Sequence, residues 1–325
     1  MRAARLHTCG EAPEVADVPD PEAGPGRALV AVTAAPITPL DLLCASGTSY
    51  FGVPATPYVP GVQGVGVVRS SATVAAGTTV WFPTTAGMAP GDGALAGLAV
   101  VDDAALVPVA GTLEDADLAA LGLSAIAAWT ALSLRAGLQP GERVLVLGSS
   151  GVVGTVGLQA ARLLGASAVH GAAVEPAAVE TGLALGADGV VTLRRDEDVP
   201  ALAARLREAV GEVDVVLDPL CGVPSSAAAL CLAPGGRLVN LGSSAGPTAS
   251  YDSAHLRSGS REVRGYTNND LTAGQRADAL AAVERHAAAG RLRVEHERFA
   301  LDDVAEAWRR QASGAVRGRA VVLPG

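Results

Sequence analysis

The feature that most constrains this sequence is an apolar run that leads through three closely spaced glycines into a helical pattern. Residues 143–147 read as a buried strand, Gly148, Gly151 and Gly154 mark the turn, and residues 152–164 read as a helix. Such a turn lets backbone N–H groups and the positive end of the helix approach a pyrophosphate. The spacing G-x-x-G-x-x-G departs from the common G-x-G-x-x-G, so the turn alone leaves a packing role open beside dinucleotide binding.

Strands and helices continue to alternate after this turn. Strand candidates lie at 144–147, 168–169, 190–192, 213–217 and 237–241, with helix-like segments between them at 152–164, 177–185, 199–210 and 225–232. This alternation predicts a parallel sheet with right-handed crossovers. In residues 1–110, Pro and Gly instead interrupt short β runs at 27–33, 65–68 and 79–82, which predicts a β-rich unit. Helices at 273–289 and 301–312 and a strand at 319–323 complete the pattern.

Composition and charge exclude several classes of protein. The 325 residues carry a formal net charge of −9, so we expect no nucleic-acid or anionic-membrane surface, both of which need basic clusters. The absence of Lys excludes Schiff-base catalysis, Ser–Lys catalysis and a P-loop lysine.

The longest uncharged run, 118–134, is expected to form a buried core helix. Because the N-terminus lacks an apolar signal segment and the cysteines form no CxxC, a reduced, cytoplasmic protein is expected.

Landmarks along nearly the whole chain carry a family resemblance. They lie at 34–41, 59–66, 129–132, 137–142, 185–188, 214–218, 233–239 and 316–322. In this order they resemble the medium-chain dehydrogenase/reductase superfamily, specifically its zinc-independent quinone oxidoreductase and enoyl reductase branch. The resemblance implies an α/β fold, with a Rossmann doubly wound parallel sheet plus a β-rich GroES-like catalytic domain.

The same resemblance implies a domain organisation. It assigns 1–120 to the GroES-like domain, 121–260 to the Rossmann dinucleotide-binding domain and 261–325 to a segment that returns to the catalytic domain. The active-site cleft is expected where the two domains meet. Many relatives assemble as homodimers or homotetramers, so either assembly is expected.

The residues that stand at the family's zinc-ligand positions argue against a metal. Zinc-dependent relatives have Cys where this chain has Thr38, and a His–Glu pair where it has Val62 and Gln63. Thr and Val are not useful ligands for tetrahedral zinc, and the four-cysteine structural lobe is missing, so no metal is expected.

The loss of zinc has a chemical consequence. Without the metal, alcohol oxidation needs another group to stabilise the alkoxide. Reduction of a quinone or an electron-poor C=C needs only hydrogen-bond donors and a proton source beside the hydride donor. We therefore expect a zinc-independent NAD(P)H-dependent oxidoreductase that transfers hydride to a quinone or an α,β-unsaturated carbonyl substrate (enone or enoyl), a small molecule.

NADPH is the expected cofactor, with NADH not excluded. An acidic residue after the second strand holds the ribose 2′-hydroxyl of NAD, whereas a basic one suits the 2′-phosphate of NADP. Neither stands directly at that strand end. Glu175 follows it but more naturally opens the next helix.

The resemblance also points to individual residues. Predicted cofactor contacts are Thr130, Ser150, Gly151, Val152, Val153, Gly154, Asn240, Gly242, Ser243 and Arg319. Some of these residues have simpler alternative roles. Thr130 could be a core threonine, residues 240–243 an ordinary turn at a strand end, and Arg319 a surface arginine. Predicted catalytic residues are Thr38, whose hydroxyl would bond the nicotinamide or substrate, and Tyr50, a proton donor with a packing role as its alternative.

Two other classes of function stay open. Residues 242–246 match the G-x-S-x-G pattern of serine hydrolases with Ser244 as nucleophile, but the segment that follows lacks the helical period of a nucleophile elbow. The second alternative is a non-catalytic NADPH-binding protein of the same fold, suggested by the changes at Thr38 and Gln63.

Overall fold

The computed structural model describes residues 1–175 and 177–325. In chain order its strands are β1 (Arg2–Arg5), β2 (Glu14–Asp17), β3 (Arg27–Ile37), β4 (Gln63–Ser70), β5 (Thr79–Pro83), β6 (Leu98–Asp102), β7 (Val107–Pro108), β8 (Arg143–Leu147), β9 (Ala168–Ala173), β10 (Gly189–Thr192), β11 (Val213–Asp218), β12 (Leu232–Asn240), β13 (Glu262–Gly265), β14 (His296–Ala300) and β15 (Arg319–Leu323). Its α-helices are α1 (Pro39–Ala45), α2 (Asp115–Thr130), α3 (Val152–Leu163), α4 (Ala177–Ala184), α5 (Val199–Val210), α6 (Gly222–Ala229), α7 (Ser253–Ser258), α8 (Ala273–Ala288) and α9 (Val304–Ser313).

Two compact units make up the chain. The first consists of Met1–Leu123 and Ala273–Gly325, and the second of Ser124–Thr272. These boundaries fall later than the predicted 120 and 260. The second boundary lies after Thr272 because β13 pairs with β12 and extends the sheet of the second unit past residue 260. The sequence did not predict β13.

The second unit is built on one sheet with strand order β10-β9-β8-β11-β12-β13. All its neighbouring strands are parallel. The chain begins in the middle at β8, moves outward to β10 and returns to β11, so its direction reverses between β8 and β11. This strand order confirms the predicted Rossmann sheet. We call the end at which the strands finish the carboxyl edge, and the opposite end the amino edge.

The first unit contains the strand path β14-β15-β3-β4-β5-β7, with β6 also pairing with β3. Its closing strand β15 runs antiparallel to β3, with Ala320 opposite Ile37, so the end of the chain joins the N-terminal sheet. One apolar core of this unit includes Leu6, Phe82 and Trp308. The β-rich architecture confirms the fold class predicted for this part of the chain.

Most predicted elements are present with small shifts at their ends. Helix α5 and strand β15 match their predicted ranges of 199–210 and 319–323. The helix predicted at 225–232 was misplaced and is α6, Gly222–Ala229. Leu232 already belongs to β12, where it pairs with Val213 of β11, so the helix ends earlier.

Helix α2 is broken in its interior. Gly122 has φ 27° and ψ −129°, which is not helical. The apolar stretch Asp115–Ala136, which includes this break, is long and apolar enough to span a membrane by length and composition, but 72% of its most apolar window is buried within the protein. A single, mostly buried helix is weak evidence for a membrane span, and this burial agrees with the expected core helix.

An ion-pair network closes the amino edge of the parallel sheet. The Arg237 guanidinium, 7% exposed, donates to both Glu142 carboxylate oxygens, at 2.5 and 2.7 Å, and to the carbonyl oxygens of Ala136 and Gly137. Burial raises the pKa of the Glu142 carboxyl, but the Arg237 and backbone hydrogen bonds outweigh it and the net pKa shift is downward. Arg143 and Asp214 form a second pair beside it, joining the starts of β8 and β11.

Candidate functional site at the carboxyl edge

The glycine turn at the end of β8 is shaped by close backbone approach. A Cβ on Gly154 would lie 2.1 Å from the Gly148 carbonyl oxygen, and one on Gly157 would lie 2.5 Å from the Leu217 side chain. Gly148 itself has φ +61°, in the left-handed region that favours glycine. The glycines therefore let α3 start directly against the end of β8 and pack tightly on the sheet.

Gly151 has a different environment in the same turn. It is the N-cap of α3 with φ −78°, and no side chain in the described part of the chain caps the helix there. The nearest described atom to a Cβ at this position would be the Gly148 carbonyl oxygen, at 3.5 Å, which is ordinary contact distance. The first turn of α3 thus presents uncapped N–H groups beside a position where the fold itself does not require glycine. This arrangement fits a pyrophosphate, which needs both the N–H groups and the space.

The predicted contacts Ser150, Val152 and Val153 belong to this same turn and to the first turn of α3. The Ser150 hydroxyl donates to Glu175 Oε2 at 2.7 Å. Glu175 lies just beyond the end of β9 and precedes α4. The sequence favours a position for Glu175 at the start of the next helix, and the structure also places its carboxylate against the glycine turn.

A buried carboxylate joins the C-terminal ends of β11 and β12. Asp218 is fully buried and accepts from the N–H groups of Leu220 and Cys221 and from the Asn240 side-chain amide, which lies 2.9 Å away. The same amide donates to the Gly242 carbonyl oxygen. The side chain of Asn240, a predicted cofactor contact, therefore holds the strand ends together, and Gly242 and Ser243 follow directly from this junction.

Thr130 lies in a chain of hydrogen-bonded side chains. Its hydroxyl, in a residue 1% exposed, is 2.5 Å from the Tyr266 hydroxyl, which donates to Asn268 Oδ1, also at 2.5 Å. The Tyr266 N–H donates to the Asn240 carbonyl oxygen, which fixes Tyr266 at the carboxyl edge. Tyr266 and Asn268 were not predicted as site residues, because β13, the strand that leads to them, was not recognised in the sequence.

The predicted catalytic residue Thr38 belongs to a buried polar cluster in the first unit. It is the N-cap of α1, and its hydroxyl donates to Asp41 Oδ2 at 2.7 Å. Asp41 Oδ1 accepts from the N–H groups of Gly61 and Val62. Burial raises the pKa of the Asp41 carboxyl, and these donors offset part of the rise. Both carboxylate oxygens are therefore occupied in joining two of the family landmarks.

Arg319 is 2% exposed, and its guanidinium donates to the Ile37 carbonyl oxygen at 3.1 Å. Burial lowers its pKa to about 10, although the nearby Asp41 carboxyl opposes this shift. The surface-arginine alternative for this residue is therefore wrong. Its predicted contact with the cofactor stays a prediction.

Gln63 stabilises the break in α2. Its Oε1 accepts from the Trp81 indole N–H and from the Leu123 N–H, both at 2.8 Å. A Cβ on Gly122 would lie 2.0 Å from the same oxygen. The glutamine that replaces the family's glutamate thus acts as a neutral, buried cap for the helical segment after the break.

Tyr50 belongs to the first unit and Ser244 to the second. Tyr50 is 80% exposed, with its ring centroid 4.2 Å from that of Phe51. The Ser244 hydroxyl donates to the Pro219 carbonyl oxygen. Residues 245–252, all of them described, form no helix before α7 begins at Ser253. The strand–turn–helix geometry of a hydrolase nucleophile elbow is therefore not formed.

Metal-ligating side chains do not cluster in residues 1–175 and 177–325. In these ranges no group of three or more His, Cys, Asp or Glu residues is placed to hold a metal ion. The donor chemistry at the family's ligand positions agrees with this, since Thr38 caps a helix and Val62 is apolar.

Known proteins with similar sequences include oxidoreductases and polyketide synthases. A family model described as zinc-binding dehydrogenase matches residues 185–322. A quinone oxidoreductase of Lama guanicoe is 32% identical over 253 residues, covering 75% of this chain and 73% of that protein. One polypeptide of the phenolphthiocerol/phthiocerol polyketide synthase of Mycobacterium tuberculosis is 32% identical over 225 residues, 67% of this chain. The chain spans only 10% of the length of that synthase polypeptide.

Solved structures share the whole fold. The quinone oxidoreductase from Thermus thermophilus, described alone and in complex with NADPH, is similar with a TM-score of 0.82 at 29% identity. The similarity covers 99% of this chain and 100% of that one.

Proposed function

Because the chain belongs to the quinone oxidoreductase and enoyl reductase branch of the medium-chain dehydrogenase/reductase superfamily, we propose that it is a zinc-independent, NADPH-dependent oxidoreductase. Its substrate is a quinone or an α,β-unsaturated carbonyl compound. The observation that carries the proposal is the glycine turn at the end of β8, where the strand order of the parallel sheet reverses. Open α/β sheets bind their ligands at the carboxyl edge beside such a reversal.

The residues of the second unit have distinct roles in this proposal. The first turn of α3 binds the pyrophosphate through its N–H groups, and Gly151 leaves space for it. Thr130, Asn240, Gly242 and Ser243 orient the nicotinamide end. The bound cofactor supplies the hydride. In the first unit, Arg319 is a proposed cofactor contact, and Thr38 is proposed to bond the nicotinamide or substrate.

The proton required after hydride addition has two proposed sources. Tyr50 is the donor that the family resemblance suggests, and its side chain is exposed to solvent. The Thr130–Tyr266–Asn268 chain provides a second hydroxyl, already hydrogen-bonded at the carboxyl edge. Substitution of each tyrosine by Phe separates them, because loss of a general acid slows turnover by about 100-fold or more.

Zinc independence is supported by the chemistry of three side chains. Thr38 caps α1, Val62 has no side-chain donor atom, and both Asp41 oxygens accept hydrogen bonds. We expect turnover to be insensitive to a strong chelator, and metal analysis of the purified protein to find no stoichiometric zinc. Chelator-dependent loss of activity that zinc restores would contradict this part of the proposal.

The test of the main proposal is single-turnover stopped-flow oxidation of NADPH against quinones, enones and enoyl thioesters. We expect saturable, enzyme-dependent hydride transfer to at least one of these classes. NADPH binding without transfer to any acceptor would favour the non-catalytic alternative. We also propose that the protein is cytoplasmic and assembles as a homodimer or homotetramer, which cell fractionation and light scattering test.

A further inference from the structure

Two side chains from separate strand exits meet beside the glycine turn. Ser150 follows β8 and Glu175 follows β9, and the 2.7 Å hydrogen bond between them uses Glu175 Oε2. Glu175 is exposed, so its Oε1 can accept from a further donor. The contact therefore holds a carboxylate at the carboxyl edge, next to the proposed pyrophosphate position.

The position of this carboxylate bears on the choice of cofactor. In a Rossmann sheet, an acidic side chain after the second strand accepts from the ribose 2′-hydroxyl of NADH. The second strand here is β9, which pairs directly with β8. A 2′-phosphate at the same place would meet a like charge, which disfavours NADPH. Glu175 therefore favours the ribose of NADH over the 2′-phosphate of NADPH.

The basic residues nearest along the sheet do not cancel this effect. Thr192 at the end of β10 pairs with Ala173 at the end of β9, and Arg194 and Arg195 follow it, both exposed. Three acidic residues come directly after them, at positions 196–198. The local charge beyond β10 is thus balanced rather than strongly positive.

We propose that the Ser150–Glu175 pair is a specificity-determining contact, which accepts the ribose of NADH and weakens the preference for NADPH. The inference rests on the proposed cofactor site. The enzyme would then use NADH as well as NADPH. The Glu175 carboxylate, oriented by the Ser150 hydroxyl, would discriminate between the two cofactors.

Equilibrium titrations with NADH and NADPH, followed by the fluorescence of the reduced nicotinamide, test the proposal without any acceptor. The wild-type protein is expected to bind both. Glu175→Gln keeps the size of the side chain and removes its charge, so the Kd for NADPH falls by about tenfold and the Kd for NADH rises by about threefold. Ser150→Ala weakens NADH binding in the same direction because the carboxylate loses its orientation.

The matched control is Glu180→Gln, which removes the same charge from an exposed position on α4. It should leave the ratio of the two Kd values unchanged. An equal shift in this control, or an unchanged ratio in Glu175→Gln, would overturn the inference while the proposed function stands. Failure of the wild-type protein to bind either cofactor would instead overturn the proposed function.

Discussion

The two edges of the parallel sheet are built from the same strands but have different roles. At the amino edge, Arg237 is paired with Glu142 and Arg143 with Asp214 through multiple hydrogen bonds. At the carboxyl edge, the glycine turn contains no charged residue, and no side chain among the described residues caps the first turn of α3. Side chains that satisfy one another stabilise the fold, whereas backbone groups left for a ligand define a site.

The largest effect is expected at Gly154, which serves both the packing of α3 and the proposed cofactor site. Gly154→Ala places a Cβ 2.1 Å from the Gly148 carbonyl oxygen, so the turn must move away from α3. We expect the free energy of unfolding to fall by about 2 kcal/mol and cofactor affinity to fall by about 100-fold, since the binding N–H groups are displaced. Urea unfolding and NADPH titration measure the two effects. Retention of wild-type affinity would show that the turn does not position the cofactor.

Arg237→Ala tests the amino edge alone. It removes the buried guanidinium that donates to both Glu142 oxygens and to the Ala136 and Gly137 carbonyl oxygens, and we expect a loss of about 3 kcal/mol of stability. Cofactor affinity should stay within about twofold of the wild-type value, because the two edges have separate roles. The control is Arg264→Ala, which breaks a more exposed pair with Glu262 and should cost about 0.5 kcal/mol. A large loss of affinity in Arg237→Ala would end the distinction between the edges.

Gly151→Ala sharpens the comparison from the other side. The nearest described atom lies 3.5 Å from the added Cβ, so the stability cost should not exceed about 1 kcal/mol, the usual range for a change at an N-cap. The methyl group enters the proposed pyrophosphate space, and affinity for NADPH should fall by about tenfold. Calorimetric titration of the folded variant measures this change. An unchanged affinity together with a large loss of stability would assign Gly151 to packing.

The smallest effect is a pH dependence at the amino edge. Because the pKa of Glu142 is lowered in the folded protein, its stabilising contribution is present above the ordinary carboxyl value of 4.5 and is lost as the pH falls through the lowered value. Urea unfolding of Glu142→Gln should show less decline in stability across this acid range than the wild type. An identical decline in both proteins would show that other carboxyls control acid sensitivity.

The parts of the fold with a strong apolar period could be predicted from the sequence. Buried strands such as β8 and β11, and amphipathic helices such as α5, carry that signal in their own residues. Strand β13 does not, because Glu262 and Arg264 make it polar and its pairing with β12 is what identifies it as a strand. The break in α2 was also missed, since it depends on the distant Gln63.

The candidate site was predictable to a similar degree. The glycine spacing located the turn, because a tight turn requires glycine at particular positions, and Gly148, Gly151 and Gly154 are visible in the sequence. The Ser150–Glu175 contact and the neighbourhood of Tyr266 join residues from different strand exits. Such contacts follow from strand order and register, which local sequence does not carry.

Amide hydrogen exchange of the wild-type protein, with and without saturating NADPH, tests the cofactor site most directly. We predict slower exchange in peptides that cover residues 148–155 and 240–243 at the carboxyl edge, with no change in peptides that cover 136–143 at the amino edge. Protection at the amino edge, or no protection at the glycine turn while NADPH is bound, would contradict the assignment of the cofactor site.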